Sequence, residues 1–176
     1  MKIRTANMND APALLSIYGQ YISTPITFEY ELPSLGEFER RIGDTLKTYP
    51  YLVGMENGRI IGYAYAGKFA SRPAYQWGAE LSVYLRRDAA GRGYGTQLYL
   101  RLMELLKKQG VRTVYGCVTT PNPASEHLHE KLGFERIALF KNAGFKNGAW
   151  YDVTWFGKAI AEYSAPSPLI GFLNEE

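Results

Sequence analysis

Apolar residues recur along this chain with two periods, and the alternation of those periods sets the order of its elements. Leu98, Leu102 and Leu105 stand at the i, i+4, i+7 spacing of one helix face. Before them, Ser82-Val83-Tyr84-Leu85 reads as a strand. A short basic turn from Arg86 to Gly93 joins the two. Upstream, residues 2–5 read as a first strand, and Asn9 or Asp10 then caps a helix carrying Leu14, Leu15, Ile17, Tyr18, Tyr21 and Ile22. Residues 24–30 form a loop of aromatic and polar residues. Ser34 followed by Glu37 has the capping-box pattern of a second helix, continuing through Lys47. Residues 51–55 and 60–66 flank Glu56-Asn57-Gly58-Arg59, a hairpin signal, and residues 76–85 form the central strand.

Beyond the Leu-rich helix, which ends near Gly110, residues 113–118 read as another strand. Pro121-Asn122-Pro123 ends it and opens a short helix, residues 124–132, stopped by Gly133. Residues 134–140 and 150–160 are the last strands, with Asn147-Gly148 turning between them. Residues 164–176 have no pattern and read as a tail, packed on the surface or on a partner subunit. The order is β α α β β β α β α β β.

A length of 176 residues suits one domain, residues 1–163 followed by the tail, with enough chain for a sizeable core. The formal net charge of +3 is too mild to demand a nucleic-acid partner, but its concentration around the glycine turn suits an anionic ligand. A single cysteine, Cys117, excludes an internal disulfide and a cysteine-based zinc site, and no metal is expected. No apolar run has the length of a signal peptide or a membrane span, so the expectation is a soluble, cytoplasmic protein.

The glycine turn carries the first chemistry. Gly91, Gly93 and Gly95 let the backbone come close to a ligand, and the first-turn N–H groups of the following helix lack intrahelical partners. Together with the helix dipole they make a place for a pyrophosphate, to which Arg86, Arg87 and Arg92 add charge. A P-loop does not fit, because Gly95-Thr96 is followed by Gln97, and a dinucleotide fingerprint does not fit the GxGxG spacing. Ala90-Gly91-Arg92-Gly93-Tyr94-Gly95 instead resembles the coenzyme A loop of the GCN5-related N-acetyltransferases (GNAT), with Ala90 where that family usually has Gln or Arg.

Three further runs carry the resemblance on, the second to the last motif of that family and the first and third to its phosphinothricin and methionine sulfoximine acetyltransferase branch. They are Arg72-Pro73-Ala74-Tyr75-Gln76-Trp77-Gly78-Ala79-Glu80, then Leu128-His129-Glu130-Lys131-Leu132-Gly133-Phe134, then Ala143-Gly144-Phe145-Lys146 with Trp150-Tyr151-Asp152-Val153. The resemblance spans nearly the whole chain. It implies an α/β (α+β) fold, a central, mixed, mostly antiparallel sheet flanked by helices, with acetyl-CoA as cosubstrate, a small-molecule amine as acceptor and a homodimer. Acetyl-CoA would lie along Val83, Tyr84 and Leu85, its pyrophosphate on the backbone of Gly91, Arg92, Gly93, Tyr94, Gly95 and Thr96, its pantetheine near Asn122 and Ser125.

The same resemblance assigns Arg72 to the anionic group of an amino-acid-like substrate, with Phe28, Glu29 and Tyr75 as walls of the acceptor site. His129 stands where many members have a tyrosine aimed at the cofactor sulfur, so it would donate a proton or a hydrogen bond, whereas His127 should face elsewhere. Tyr151 replaces the histidine of the herbicide-detoxifying members, which shifts base catalysis toward Glu80 and puts phosphinothricin itself in question. The residues themselves also point to Glu80. An amine must lose a proton before it attacks a thioester, and a carboxylate on a mostly apolar central strand is costly unless used; partial burial raises its basicity. The alternatives are acetylation of a protein N-terminus or a polyamine, and a cofactor-binding sensor without catalysis.

Overall fold

The computed structural model describes residues 1–172. Seven strands form one sheet in the order β1-β2-β3-β4-β5-β7-β6. They are β1 (Lys2–Thr5), β2 (Tyr51–Glu56), β3 (Arg59–Lys68), β4 (Gly78–Leu85), β5 (Thr113–Thr120), β6 (Glu135–Lys146) and β7 (Ala149–Ala159). Helices α1 (Ala11–Gly19) and α2 (Leu35–Leu46) precede the β2–β3 hairpin; α3 (Tyr94–Gln109) and α4 (Pro123–Lys131) flank β5. Every neighbouring pair is antiparallel except β4 with β5. The mixed, mostly antiparallel sheet expected from the sequence is therefore present.

Alternation along the strands gives the sheet two apolar faces. Ala79 and Leu81 of β4 and Val114 of β5 meet Leu98, Leu102 and Leu106 of α3, with Phe156 of β7. On the other face Leu14 and Ile17 of α1 and Phe38 and Ile42 of α2 cover Tyr51, Val53 and Tyr63. Glu80, Ser82 and Tyr84 point to this second face, where Tyr84 meets Tyr18 edge-on at 5.1 Å between ring centres.

Both turns read from Asn-Gly pairs are present: Asn57 and Gly58 have φ of 51° and 75°, Asn147 and Gly148 51° and 76°, the left-handed pair a two-residue hairpin requires. Three boundaries differ from expectation. A 3-10 turn, Met8–Asp10, capped by Asn7, precedes α1; Asp10 stands at the N-cap position of α1 as expected but makes no side-chain cap there, because its carboxylate is taken by both terminal guanidinium nitrogens of Arg4 at 2.7 Å and by the Asn7 N–H. The Arg4 charge holds Asp10 below the usual carboxylate range. The central strand begins at Gly78, after a short 3-10 turn at Pro73–Tyr75. Strand β6 runs on to Lys146 past an irregularity between Phe140 and Gly144, since Asn142 there adopts φ of 49° and hands its N–H to Asp152.

The tail turns back on its own chain. Phe172 and Leu169 pack into the α3 side of the core, Gln109 donates to the Ile170 carbonyl at 2.8 Å, and Trp77 donates to that of Ser167. Leu173, which the sequence reading grouped with an apolar subunit interface, lies outside the described residues. Among the described residues no helix is long and apolar enough to cross a membrane.

Candidate active site

Strands β4 and β5 are paired only from Gly78 to Glu80 against Thr113 to Tyr115, and then part. Each keeps its other neighbour, β4 to β3 as far as Leu85 and β5 to β7 as far as Thr120. The result is a wedge open toward the glycine turn. The even residues of β4 bond to β3, as the next bond in that series, Arg86 N–H to the Ile61 carbonyl, indicates. Its odd residues therefore face the wedge. Tyr99 donates to the carbonyl of Leu81 and Tyr21 to that of Leu85. Between these two, the backbone of Val83 is left to pair with whatever enters.

The wedge widens into a groove of about 380 Å³ whose lining includes Val83, Tyr84, Leu85, Gly91, Gly93, Gly95, Thr96, Asn122 and Ser125. These are nine of the residues expected to hold the cofactor, and the structure brings them together. Gly91 and Gly93 have φ of 75° and 77°, with open space where a Cβ would stand, and Gly93 is the N-cap of the sixteen-residue α3. Donor-rich backbone and a long helix behind it fit the pyrophosphate of acetyl-CoA, and a groove lined mostly by apolar atoms fits its pantetheine. Asn122 both caps α4, accepting from the Ser125 N–H at 3.3 Å, and lines the groove.

The side chains of Arg92 and Tyr94 do not line it. Both go to Glu56, which stands on the far side of the turn. Arg86 is paired with Asp88 at 3.0 Å, and Arg87 donates to the Gln20 carbonyl. The positive potential at the turn thus comes from the backbone and the helix more than from these arginines. The sequence reading missed His127 and Lys131, which line the groove from α4. Their signal was the helical spacing from Ala124 through His127 and Leu128 to Lys131.

Glu80 is half-buried at the apex of the wedge, opposite Gly67 on β3 and Tyr115 on β5. Burial raises its carboxyl above the usual glutamate range, which makes it a stronger base. Gly67 has nothing within 4 Å of a built Cβ, so there is space beside the carboxylate. Cys117 opens into the same cleft; the surrounding protein and the Glu80 charge push its thiol up to about 11, so it is no nucleophile near neutral pH. Register along β7 puts Trp155 opposite Cys117 and Val153 opposite Thr119, so Tyr151 points to the same face as Glu80.

His129 departs from its expected role. It is 2% exposed, stacked at 4.9 Å on Phe156 and edge-on to Phe134 and Tyr99. Nδ1 lies 2.7 Å from the Ser125 carbonyl, which only a protonated nitrogen can satisfy. Burial lowers its pKa, so the ring is neutral, and Nε2 is an acceptor without a partner among the described residues. It reaches the recess at the wedge apex, shared with Ser82 and Cys117, as a proton acceptor and not as the donor to the leaving sulfur. Gly116 beneath it is obligatory: a Cβ there would collide with Nε2.

The acceptor side lies across the Glu80 face. The Phe28 ring sits where a Gly144 side chain would be, and Gly144 is opposite Tyr151 in the β6–β7 register. Glu29 is not free to touch a substrate by its carboxylate, which takes the Arg41 guanidinium at 2.6 Å while Arg41 also binds Glu37. Arg72 is exposed at the N-cap of the 3-10 turn and makes no ion pair among the described residues. Tyr75 in that turn leans on Phe69, whose ring stacks at 4.0 Å on Tyr115, the neighbour of Glu80. Among the described residues no group of three or more His, Cys, Asp or Glu could hold a metal.

Comparison with known proteins agrees with this geometry. A family described as an acetyltransferase (GNAT) domain matches residues 3–155. The chain is 32% identical over 170 residues to phosphinothricin N-acetyltransferase of Streptomyces viridochromogenes, covering 96% of this chain and 93% of that one. It is 33% identical over 156 residues to the L-methionine sulfoximine/L-methionine sulfone acetyltransferase of Pseudomonas aeruginosa, covering 87% and 91%. The crystal structure of a GNAT phosphinothricin acetyltransferase from Sinorhizobium meliloti, in complex with acetyl-CoA, superposes with a TM-score of 0.91 at 33% identity, covering 94% and 92%.

Two outcomes are expected. Gly93→Val places a β-branched residue at positive φ and a side chain into the groove, so calorimetry should show acetyl-CoA affinity falling by roughly tenfold or more; unchanged affinity would remove the turn from the cofactor site. Nitrogen NMR of His129 should show the Nδ1–H tautomer, with protonation only below the ordinary histidine value of about 6.5. As the pH falls below that value the unfolded chain binds a proton that the folded chain refuses, so the residue destabilises the fold in acid. A charged His129 at neutral pH would contradict this assignment.

Proposed function

Because the chain belongs to the GNAT acetyltransferase family, we propose that this N-acetyltransferase acetylates the primary amine of a small, amino-acid-like molecule of the phosphinothricin or methionine sulfoximine kind. The observation that carries the reading is the meeting of a groove of about 380 Å³, lined by the glycine turn, with a raised-pKa carboxylate, Glu80, at the closed end of one wedge. Relatives named for those two substrates support the choice of acceptor.

Acetyl-CoA, when bound, supplies an acyl group activated as a thioester. The residues of this chain do the rest. The groove backbone from Gly91 to Thr96 and at Val83 fixes the donor, and Asn122 and Ser125 flank it. Glu80 takes a proton from the acceptor ammonium, directly or through water; the freed nitrogen forms its bond to the acetyl carbon as the bond to sulfur breaks, and the second proton shed by that nitrogen goes to the departing thiolate, leaving the amide and a free thiol. Phe28, Tyr75 and Tyr151 wall the acceptor, and Arg72 meets its anionic group with a planar, two-pronged donor. The support for Arg72 is a guanidinium with no ion pair among the described residues, on a turn moored, through Tyr75 and Phe69, to the neighbour of Glu80.

We take residues 1–163 as the catalytic unit and two copies as its working form. Edge strand β6 exposes Ile137, Leu139 and Phe140, with Phe145 and Trp150 at its end, an apolar strip that an exposed sheet edge does not usually leave bare. A cytoplasmic location follows from the need for acetyl-CoA and is checked by cell fractionation.

A turnover assay with acetyl-CoA and a panel of amines tests the reading. Methionine sulfoximine, phosphinothricin and related amino acids should be acetylated, and polyamines and peptide N-termini should not. Arg72→Ala should raise KM for every accepted substrate by roughly tenfold to hundredfold, the worth of a charge-assisted hydrogen bond. Unchanged KM would remove Arg72 from the site, and turnover confined to polyamines or peptides would overturn the acceptor class. Light scattering on the same preparation should give the mass of two chains; one chain would refute the dimer.

A further inference from the structure

Lys146 is 2% exposed, yet its ammonium makes no ion pair among the described residues. Its two recorded partners are backbone carbonyls of the loop between α1 and α2: Thr27 at 2.6 Å and Glu29 at 2.8 Å. Of the two carboxylates in that loop, Glu29 is committed to Arg41, and Glu31 makes no ion pair among the described residues. A buried cation held by backbone carbonyls, with only the charge of Glu29 nearby and that already shared with Arg41, is costly, so its donors must hold something that matters. Those two carbonyls bracket Phe28, the residue whose ring fills the place of a Gly144 side chain, one β6 turn of alternation from Lys146 itself.

Weaker ties converge on the same seam. Tyr30 donates to the Phe145 carbonyl at 2.7 Å, Asn147 to that of Ser23 at 2.9 Å, and the Tyr18 hydroxyl meets Thr27 at 2.6 Å. All but the last join the loop to the end of the β6–β7 hairpin, and that hairpin also carries Tyr151 on the Glu80 face.

We propose that Lys146 is a positioning residue for the acceptor: its ammonium fastens the 23–30 loop to the β6–β7 hairpin and so sets the Phe28 wall against Gly144 beside Tyr151. The proposal rests on the acceptor reading above. It assigns a role in substrate selection to a residue that touches neither substrate nor cofactor.

The test is Lys146→Met, which keeps the length of the side chain and removes its donors. Amide hydrogen exchange in residues 23–30 should quicken. KM for the acceptor should rise roughly tenfold to hundredfold, as expected for a displaced positioning wall, while KM for acetyl-CoA stays within about twofold. Phe28→Ala should raise the acceptor KM similarly, and the double variant should be little worse than Phe28→Ala alone, because both act through one ring. Gly144→Ala keeps the ammonium but displaces the ring, and should give the same selective rise even if Lys146→Met folds poorly. An acceptor KM unmoved in Gly144→Ala, or effects of Lys146→Met and Phe28→Ala that simply multiply, would overturn the proposal. Exchange needs no acceptor. Unchanged protection of residues 23–30 in Lys146→Met would therefore sink the latch whatever the substrate, whereas a wild-type enzyme that acetylates no amino-acid-like amine would sink the acceptor reading instead.

Discussion

The parting of β4 from β5 after Glu80 is the constraint on which the rest of the site depends. A parallel ladder could have continued, but Tyr99 takes the Leu81 carbonyl and Tyr21 takes that of Leu85. Buried backbone groups must find partners, and side chains from α3 and from the segment after α1 supply them on either side of Val83. The sheet thus keeps its order on both outer flanks while leaving a slot through its middle. The glycine turn stands at the wide end of that slot and Glu80 at the narrow end. One broken ladder places the amides of the glycine turn, the Val83 backbone and the Glu80 carboxylate along one slot.

The two faces of the sheet do different work around this slot. The α3 face is dry: Leu98, Leu102, Leu106 and Phe156 are fully buried, and even His129 there is held neutral by stacking and burial. The opposite face carries tyrosines, Glu80, Cys117 and the loop with Phe28. Its organisation depends on Lys146, whose desolvation costs several kcal/mol and is offset by two charged hydrogen bonds of about 1.5–3 kcal/mol each. That near-balance is affordable in a fold with a large core on the other side.

Much of this was legible in the sequence because it is local. The glycine turn, the Asn-Gly hairpins, the Leu-rich helix and the alternation that turns Glu80 toward Tyr84 all depend on residues within one or two turns of each other. What escaped depends on partners far along the chain. Asp10 holds the N-cap position of α1 without a side-chain cap because Arg4 claims its carboxylate, and Asn7 caps the added 3-10 turn before it. The charge of the Arg92 side chain counts toward the anion site until the hairpin brings Glu56 beside it and Tyr94. His129 could be assigned to its helix but not to its tautomer, which the Ser125 carbonyl and the Phe156 ring decide together. Lys146 stood inside a matched motif with no visible task, since its acceptors lie more than a hundred residues earlier. The tail showed no period, yet its apolar residues found the α3 core.

The central claim is that the carboxylate at the apex of the slot takes the acceptor proton, and Glu80→Gln tests it most directly. The variant keeps the shape and removes the basicity. The predicted result is a kcat lower by roughly 10²–10⁴-fold at pH 7, partly restored at alkaline pH where more acceptor is already neutral, with acetyl-CoA affinity little changed. In the wild type, the acid limb of kcat/KM should lie above the ordinary glutamate range, in the direction in which burial moves Glu80. A variant with wild-type kcat and an unaltered pH profile would contradict the account and leave Tyr151 or a chain of water as the base.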